Sequence, residues 1–415
     1  MSTQELEKNG FGHLEKGPFL GIKARNEAAP ESRALQSIDK NTNLVRLVEE
    51  IDPETGEIIT YQDTKKGRKV FKTSAQNRAE RYALKSVVNL IFPKSSTAKC
   101  SRAKVPGEDV KILKNPEHQK AFYSGLRRCG SVWLCPLCSA KIAERRRSEL
   151  VSGVATAKAM GWQAHLMTCT IPHGLGDDVN DILKMMLNAW RRMTTGRAGK
   201  ALRKQLFFEG TVRVIEVTDG NNGFHPHFHI LIFTSRKFSS SVLQYFFTPL
   251  WQDVCVKSGL PCPSEEHGLK VDDGSWAAKY ASKWGLEDEM VKGHMKTSKG
   301  INGFTPWDML RDVLKTKNKR SRARFFIYAN AFKGRRQLHW SVGLKAKLGL
   351  IDFTDEELAT KDEEQASQLA ELTLNQWRLV LVNRCESALL EIAETRPQDI
   401  PVFLSALWSN DLKTT

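Results

Sequence analysis

The sequence predicts an α+β protein organised around a β-hairpin, and three observations carry that reading. The run Phe224-His225-Pro226-His227-Phe228-His229-Ile230-Leu231-Ile232-Phe233 alternates with the period of a strand. It places His225, His227 and His229 on one side and Phe228, Ile230 and Ile232 on the other. Residues 211–218 read as a second strand, and Asp219-Gly220-Asn221-Asn222-Gly223 between the two has the composition of a hairpin turn. Outside the hairpin, apolar residues recur at helical spacing, most clearly at Ile182, Leu183, Met186, Leu187 and Trp190.

A chain of 415 residues is long enough for two or three domains and at least one full core. The formal net charge is +16 and the pI about 9.4, a balance that points to a polyanion partner, most simply nucleic acid. No apolar run approaches the roughly 20 residues that span a bilayer. Residues 1–10 lack the apolar stretch of a signal peptide. The expectation is a cytoplasmic protein with no membrane partner.

Taken in order, residues 1–75 form a polar arm, either a hairpin turning at Asp52-Pro53-Glu54-Thr55-Gly56 or disordered chain. Residues 76–99 show helical periodicity through Ala79, Tyr82, Ala83, Val87 and Leu90, closed by Pro93. A helix-plus-cysteine segment completes the stretch 76–145. It holds Cys100, Cys129 and the pair Cys135-Pro136-Leu137-Cys138. Two thiolates at this spacing in a tight turn face one tetrahedral ion, so the segment reads as a structural Zn²⁺ site. The bland alternatives are a redox pair or isolated buried thiols. Cys129 supplies the third ligand, and Cys100 or His118 the fourth. The following helix carries Arg145, Arg146 and Arg147, suited to phosphate contacts or to a solvated face.

Residues 165–171 read as a buried strand, and residues 242–256 as a helix that Pro249 kinks or splits. Glu216, on the strand antiparallel to the histidine strand, can join His227 and His229 as a third metal ligand. Strict alternation then places Val214 on the same face, beside the metal, unless a bulge intervenes. On a helix spanning residues 275–284, Tyr280 and Lys283 share a face at i, i+3. By itself that pattern is an ordinary amphipathic helix. Thr305-Pro306 marks a helix start. Residues 315–324 are a basic run, either lining a nucleic-acid groove or forming a solvated loop. Residues 337–341 are strand-like. Past Gly349 the charge turns acidic, and residues 349–415 read as a separate helical region or tail.

A His-x-His strand followed by a Tyr-x-x-Lys helix in a basic chain resembles the HUH endonucleases, and among them the rolling-circle plasmid replication initiators. The resemblance spans about residues 125–345. Met167-Thr168-Cys169-Thr170-Ile171-Pro172-His173 looks like the first motif of that family. Residues 213–218 and 225–229 look like the second, and Ala278-Lys279-Tyr280-Ala281-Ser282-Lys283-Trp284-Gly285 the third. The resemblance implies an HUH-type antiparallel sheet of four or five strands backed by helices, filling residues 146–348. It implies that His227 and His229, with Glu216, hold a divalent ion, Mn²⁺ or Mg²⁺, that polarises the scissile phosphate. Tyr280 attacks, with Lys283 assisting, and leaves a 5′-phosphotyrosine and a free 3′-OH primer. Lys279 joins Arg145–Arg147 as a candidate DNA contact. The implied partners are DNA at a replication origin, single-stranded at the nick, and a host helicase and polymerase. One position departs from the pattern: Trp276 stands where some initiators carry a water-activating Glu, which leaves termination to another group such as Glu287 or Glu289. Two other functions fit parts of the pattern, a single-tyrosine transposase of the same superfamily and a non-catalytic zinc-containing repressor.

Overall fold

The computed structural model describes backbone strands within residues 34–71. With side chains it describes residues 74–274, 277, 304–359 and 366–409, and a final helix by its backbone to Thr414. The chain forms two compact units, Met1–Lys72 and Thr73–Thr415. The first contains β1 (Ala34–Ser37), β2 (Val45–Ile51), β3 (Ile58–Thr64) and β4 (Gly67–Phe71), an antiparallel sheet in chain order.

The second unit opens with α1 (Ser74–Ile91), α2 (Ser96–Lys99), β5 (Val110–Lys114), β6 (Ala121–Ser124) and α3 (Pro136–Ala159). Then come β7 (Gln163–Cys169), α4 (Val179–Thr195), α5 (Arg197–Gln205), β8 (Phe208–Gly220), β9 (Gly223–Thr234), α6 (Ser240–Val256) and β10 (Leu269–Asp272). After residues outside the described set follow α7 (Pro306–Thr316), α8 (Lys319–Phe332), β11 (Leu338–Trp340), α9 (Leu344–Lys347) and α10 (Asp355–Thr360). The chain closes with β12 (Ser367–Leu372), α11 (Leu374–Val382), α12 (Glu386–Thr395) and α13 (Ile400–Thr414).

The central sheet is antiparallel, in the order β10-β7-β9-β8-β11. Its core is the β8–β9 hairpin. Asn221 and Asn222 form the connection, and Gly223 sits at φ +85°, a conformation that favours glycine. On one face Ile215, Phe228, Ile230 and Ile232 are buried against α4 and α6. Burial of each such side chain stabilises by about 1.5–3 kcal/mol. The other face packs Val212, Val214, Leu231 and Phe233 against Leu150 and Ala157 of α3.

Local signals explain the helix boundaries. Asp178 accepts from the N–H groups of Asn180 and Asp181 and starts α4. Thr305 and Asp308 form a reciprocal capping box with Pro306 in the first turn of α7. Helix α6 continues through Pro249 and is not split there. The carbonyl that Pro249 leaves without its helical donor is that of Tyr245, a residue 76% exposed. The basic run at residues 315–324 is not a loop: it is the end of α7, a left-handed turn at Lys317 and the start of α8.

Sequence pattern sets residues 349–415 apart, yet in the fold they close a sheet begun far upstream. Strand β12 pairs with β5 in a three-stranded sheet ordered β12-β5-β6. Val110, Ile112 and Tyr123 share one core with Trp377, Leu389, Leu390 and Leu404. Tyr123 donates its hydroxyl hydrogen to the Glu386 carbonyl (2.9 Å), and the Trp377 indole N–H donates to the Arg102 carbonyl (2.8 Å). Among the described residues no helix is long and apolar enough to cross a membrane.

Candidate functional site

The hairpin register sets Glu216 opposite His227 and Val214 opposite His229, unbroken from Gly210 to Gly220. A Glu216 carboxylate oxygen lies 3.6 Å from His227 Nε2 and 3.4 Å from His229 Nε2. The three ligand atoms lie within 4.8 Å of one another. The imidazoles are 14% and 18% exposed and the carboxylate 28%, so the group is held by the fold yet open on one side.

Second neighbours set which nitrogen faces the carboxylate. His227 Nδ1 is 3.3 Å from the carbonyl oxygen of His225. A carbonyl only accepts, so that nitrogen carries the proton and Nε2 presents a lone pair. His229 Nδ1 is held by the Thr168 hydroxyl at 3.0 Å, from the paired position on β7. Burial pushes the Glu216 carboxyl up, but His229 and His227 together outweigh it and hold it well below the usual carboxylate range. Two imidazole lone pairs and one carboxylate, with room for further oxygen ligands, fit a divalent cation. No bulge separates Val214 from this group. Fully buried with Val212 and Leu231, Val214 floors the centre where the same sheet face turns apolar.

A second imidazole pair lies beside the first, and the sequence reading assigned it no role. His173 Nε2 is 2.7 Å from His225 Nδ1, and His173 Nδ1 is 3.0 Å from the Asn222 carbonyl. The carbonyl requires the His173 Nδ1 proton, so in the neutral pair His173 Nε2 accepts from His225. Burial, with His227 and His173 nearby, pushes the His225 imidazole down to about 4. Residue spacing does not reveal this contact, because it joins positions 52 apart.

The cysteine centre is built from loop and helix ends. Cys100 caps the end of α2, Cys129 follows β6, Cys135 precedes α3, and Cys138 lies in the first turn of α3. Sulfur separations are 3.5 Å for Cys100–Cys138 and 3.8 Å for both Cys100–Cys135 and Cys129–Cys138. Zn–S bonds of about 2.3 Å in a tetrahedron place sulfurs about 3.8 Å apart, so the four thiols fit that ion without rearrangement. Cys100 completes the group, whereas His118 is 69% exposed beside Glu117.

The three arginines expected at DNA each have partners within the chain, Arg147 on the exposed helix surface. Arg145 donates to the Leu358 carbonyl. Buried Arg146 pairs with Glu149 and Asp355 and donates to the Phe353 carbonyl. Arg147 pairs with Glu144, one helical turn back. The charge pattern was right, but the acceptors are the chain's own carboxylates and carbonyls, with which a phosphate would have to compete. Tyr280, Lys279, Lys283 and Trp276 lie outside the described residues.

An antiparallel sheet carrying a His₂Glu group, together with a separate tetrathiol group, defines an α+β protein with two ligand sets of the kind found in metal sites. The chain belongs to the replication protein family, whose model matches residues 126–382. It is 26% identical over 297 residues to "Protein rep" of Streptomyces lividans, covering 54% of this chain and 64% of that protein. It is 28% identical over 170 residues to a "Neomycin resistance protein" of Streptomyces cyanogenus, covering 32% of this chain and 39% of that one. The chain thus spans less than two thirds of the length of these curated relatives. No solved structure matches it.

Proposed function

We propose that this protein is a plasmid rolling-circle replication initiator of the HUH type, which nicks one strand of its origin and remains joined to the 5′ end. The observation that carries this reading is the convergence of Glu216, His227 and His229 on adjacent strands in a chain of the replication protein family. The net charge of +16 suits a DNA substrate. A repressor function would leave the His₂Glu centre without a role.

The donor set is imidazole and carboxylate with no thiolate, which suits Mn²⁺ or Mg²⁺. When bound there, the cation supplies Lewis acidity at a non-bridging phosphate oxygen. Thr168 and the His225 carbonyl hold the two rings so that Nε2 of each faces the centre. Val214 and its apolar neighbours keep water from the floor. Tyr280 Oη attacks phosphorus, the ester bond to the 3′ oxygen breaks, and the strand ends as a 5′-phosphotyrosine and a 3′-OH. A phenol has an ordinary pKa of about 10, and Lys283, three residues on in the sequence, lowers the cost of its anion.

The test is covalent adduct formation on a single-stranded oligonucleotide from the protein's own origin with Mn²⁺. Wild-type protein is expected to form an adduct that mass spectrometry maps to the Tyr280 peptide. Tyr280→Phe should form none. The double change His227→Ala/His229→Ala should also form none while binding duplex DNA nearly as wild type, since phosphate contacts supply most of that affinity. An adduct on another residue, or none in wild type, refutes the reading.

A further inference from the structure

A cavity whose lining includes none of Glu216, His227 and His229 lies against strand β11. Its volume is about 740 Å³, within the roughly 300–1,000 Å³ usual for small-ligand sites. The loop entering α2, the loop after β6, the end of α8, strand β11 and the approach to α10 enclose it.

Its charge is one-sided. Of the lining carboxylates, Asp355 is paired with Arg146 and Asp352 with Lys345, while Glu356 lies over Gly130. Lys94, Lys333 and Arg336 also line the cavity. All three are exposed, and none has an ion-pair partner among the described residues. Trp340 adds a half-buried indole, whose buried N–H has no acceptor there. Exposed cations outside ion-pair distance of any described carboxylate, though Arg336 still acts on Asp352, and a flat aromatic surface together describe a site for a phosphorylated, flat molecule.

Register ties the cavity to the metal-type centre. Strand β11 pairs Leu338 with Val214, and the Ile215 N–H donates to the Gln337 carbonyl (2.9 Å), so the pairing continues one residue beyond the strand. Arg336 therefore comes level with Glu216 on the neighbouring strand. Neighbouring strands lie about 4.8 Å apart. A chain of phosphates passing the His₂Glu centre would meet Arg336 next.

We propose that this cavity is a nucleotide-binding subsite that holds a unit of the DNA strand beside the nick, with phosphate on Lys94, Lys333 and Arg336 and base against Trp340. The proposal rests on the DNA-nicking reading for its substrate. The shared chemistry is a nucleoside phosphate, and a free nucleotide is the other source of it.

The experiment measures binding of a labelled single-stranded oligonucleotide by fluorescence anisotropy, with full-length protein and no added divalent metal, so that no covalent step enters. Lys94→Gln/Lys333→Gln/Arg336→Gln is compared with Lys158→Gln/Lys200→Gln/Lys204→Gln. The second set removes the same charge from exposed positions elsewhere. The cavity triple is expected to lose roughly ten-fold or more in affinity and about 2 from the slope of log K against log salt, since each single-strand phosphate contact contributes about 0.7. The remote triple should lose far less of either. In a second arm, a deoxynucleoside monophosphate is titrated while tryptophan fluorescence is followed. Saturable quenching that the cavity triple abolishes, with oligonucleotide affinity equal in both triples, would assign the subsite to free nucleotide. Equal losses in the two triples with no saturable quenching overturn the proposal. Circular dichroism and zinc content confirm that each variant is folded. Absence of the Tyr280 adduct would sink the nicking reading and leave these binding results standing.

Discussion

Three imidazoles within five residues of one strand have different surroundings because each Nδ1 meets a different neighbour: His173 for His225, a main-chain carbonyl for His227, and the Thr168 hydroxyl for His229. Thr168→Val removes the last of these without changing the shape of the strand. It should weaken Mn²⁺ binding about 10–100-fold, read by electron paramagnetic resonance titration, with thermal stability nearly unchanged. A second prediction concerns Glu386. Burial raises its carboxyl above the unfolded value of 4.5, and Arg102 at 4.0 Å offsets only part of that. A raised acid binds its proton more tightly in the folded state, so its contribution to stability declines as pH climbs from the unfolded pKa through the folded one. Glu386→Gln should therefore raise Tm at pH 8 and leave it nearly unchanged at pH 4 by differential scanning calorimetry. The metal-type residues were legible in the sequence because strand alternation and cysteine spacing are local. His173 was not, since its partner is set by tertiary folding. A basic helix looks the same in sequence whether its acceptors are phosphates or internal groups, so the intramolecular partners of Arg145, Arg146 and Arg147 were not legible there.

At the level of elements, the hairpin, α4, and the cap of α7 follow from periodicity, turn composition and capping. The three-stranded sheet does not: β5 and β6 are short and flanked by polar residues, and β12 lies some 250 positions further along the chain. No window of sequence contains that pairing. The cysteine centre ties α2, the loop after β6 and the start of α3, elements that otherwise share few strand bonds. Purified protein should carry about one zinc per chain at this site. Cys100→Ser should lose it as completely as Cys135→Ser, and limited proteolysis should then cut within residues 96–138. Full zinc content in Cys100→Ser would remove that residue from the ligand set.

The whole chain comprises a small N-terminal sheet unit and a larger unit with its own cores. The larger unit, residues 73–415, is expected to fold when produced alone, keeping its zinc and its affinity for DNA; loss of either on removing residues 1–72 would show that the first unit takes part in binding or folding. Removing residues 367–415 should behave oppositely. It strips β12 from the edge of β5 and uncovers Val110, Ile112 and Tyr123, with aggregation or a large drop in Tm expected on size-exclusion and thermal analysis. The pairing of Lys114 with Ser367 also has a consequence in time. Ribosomes add about 5–20 residues per second, so the sheet started by β5 and β6 waits roughly 12–50 s for its third strand. During that interval the nascent chain presents an open sheet edge beside its cysteines, and only a chain extended past Leu372 can close it. An interrupted message would then yield fragments that carry the histidine hairpin but expose an unpaired edge, a natural handle for chaperones and proteases.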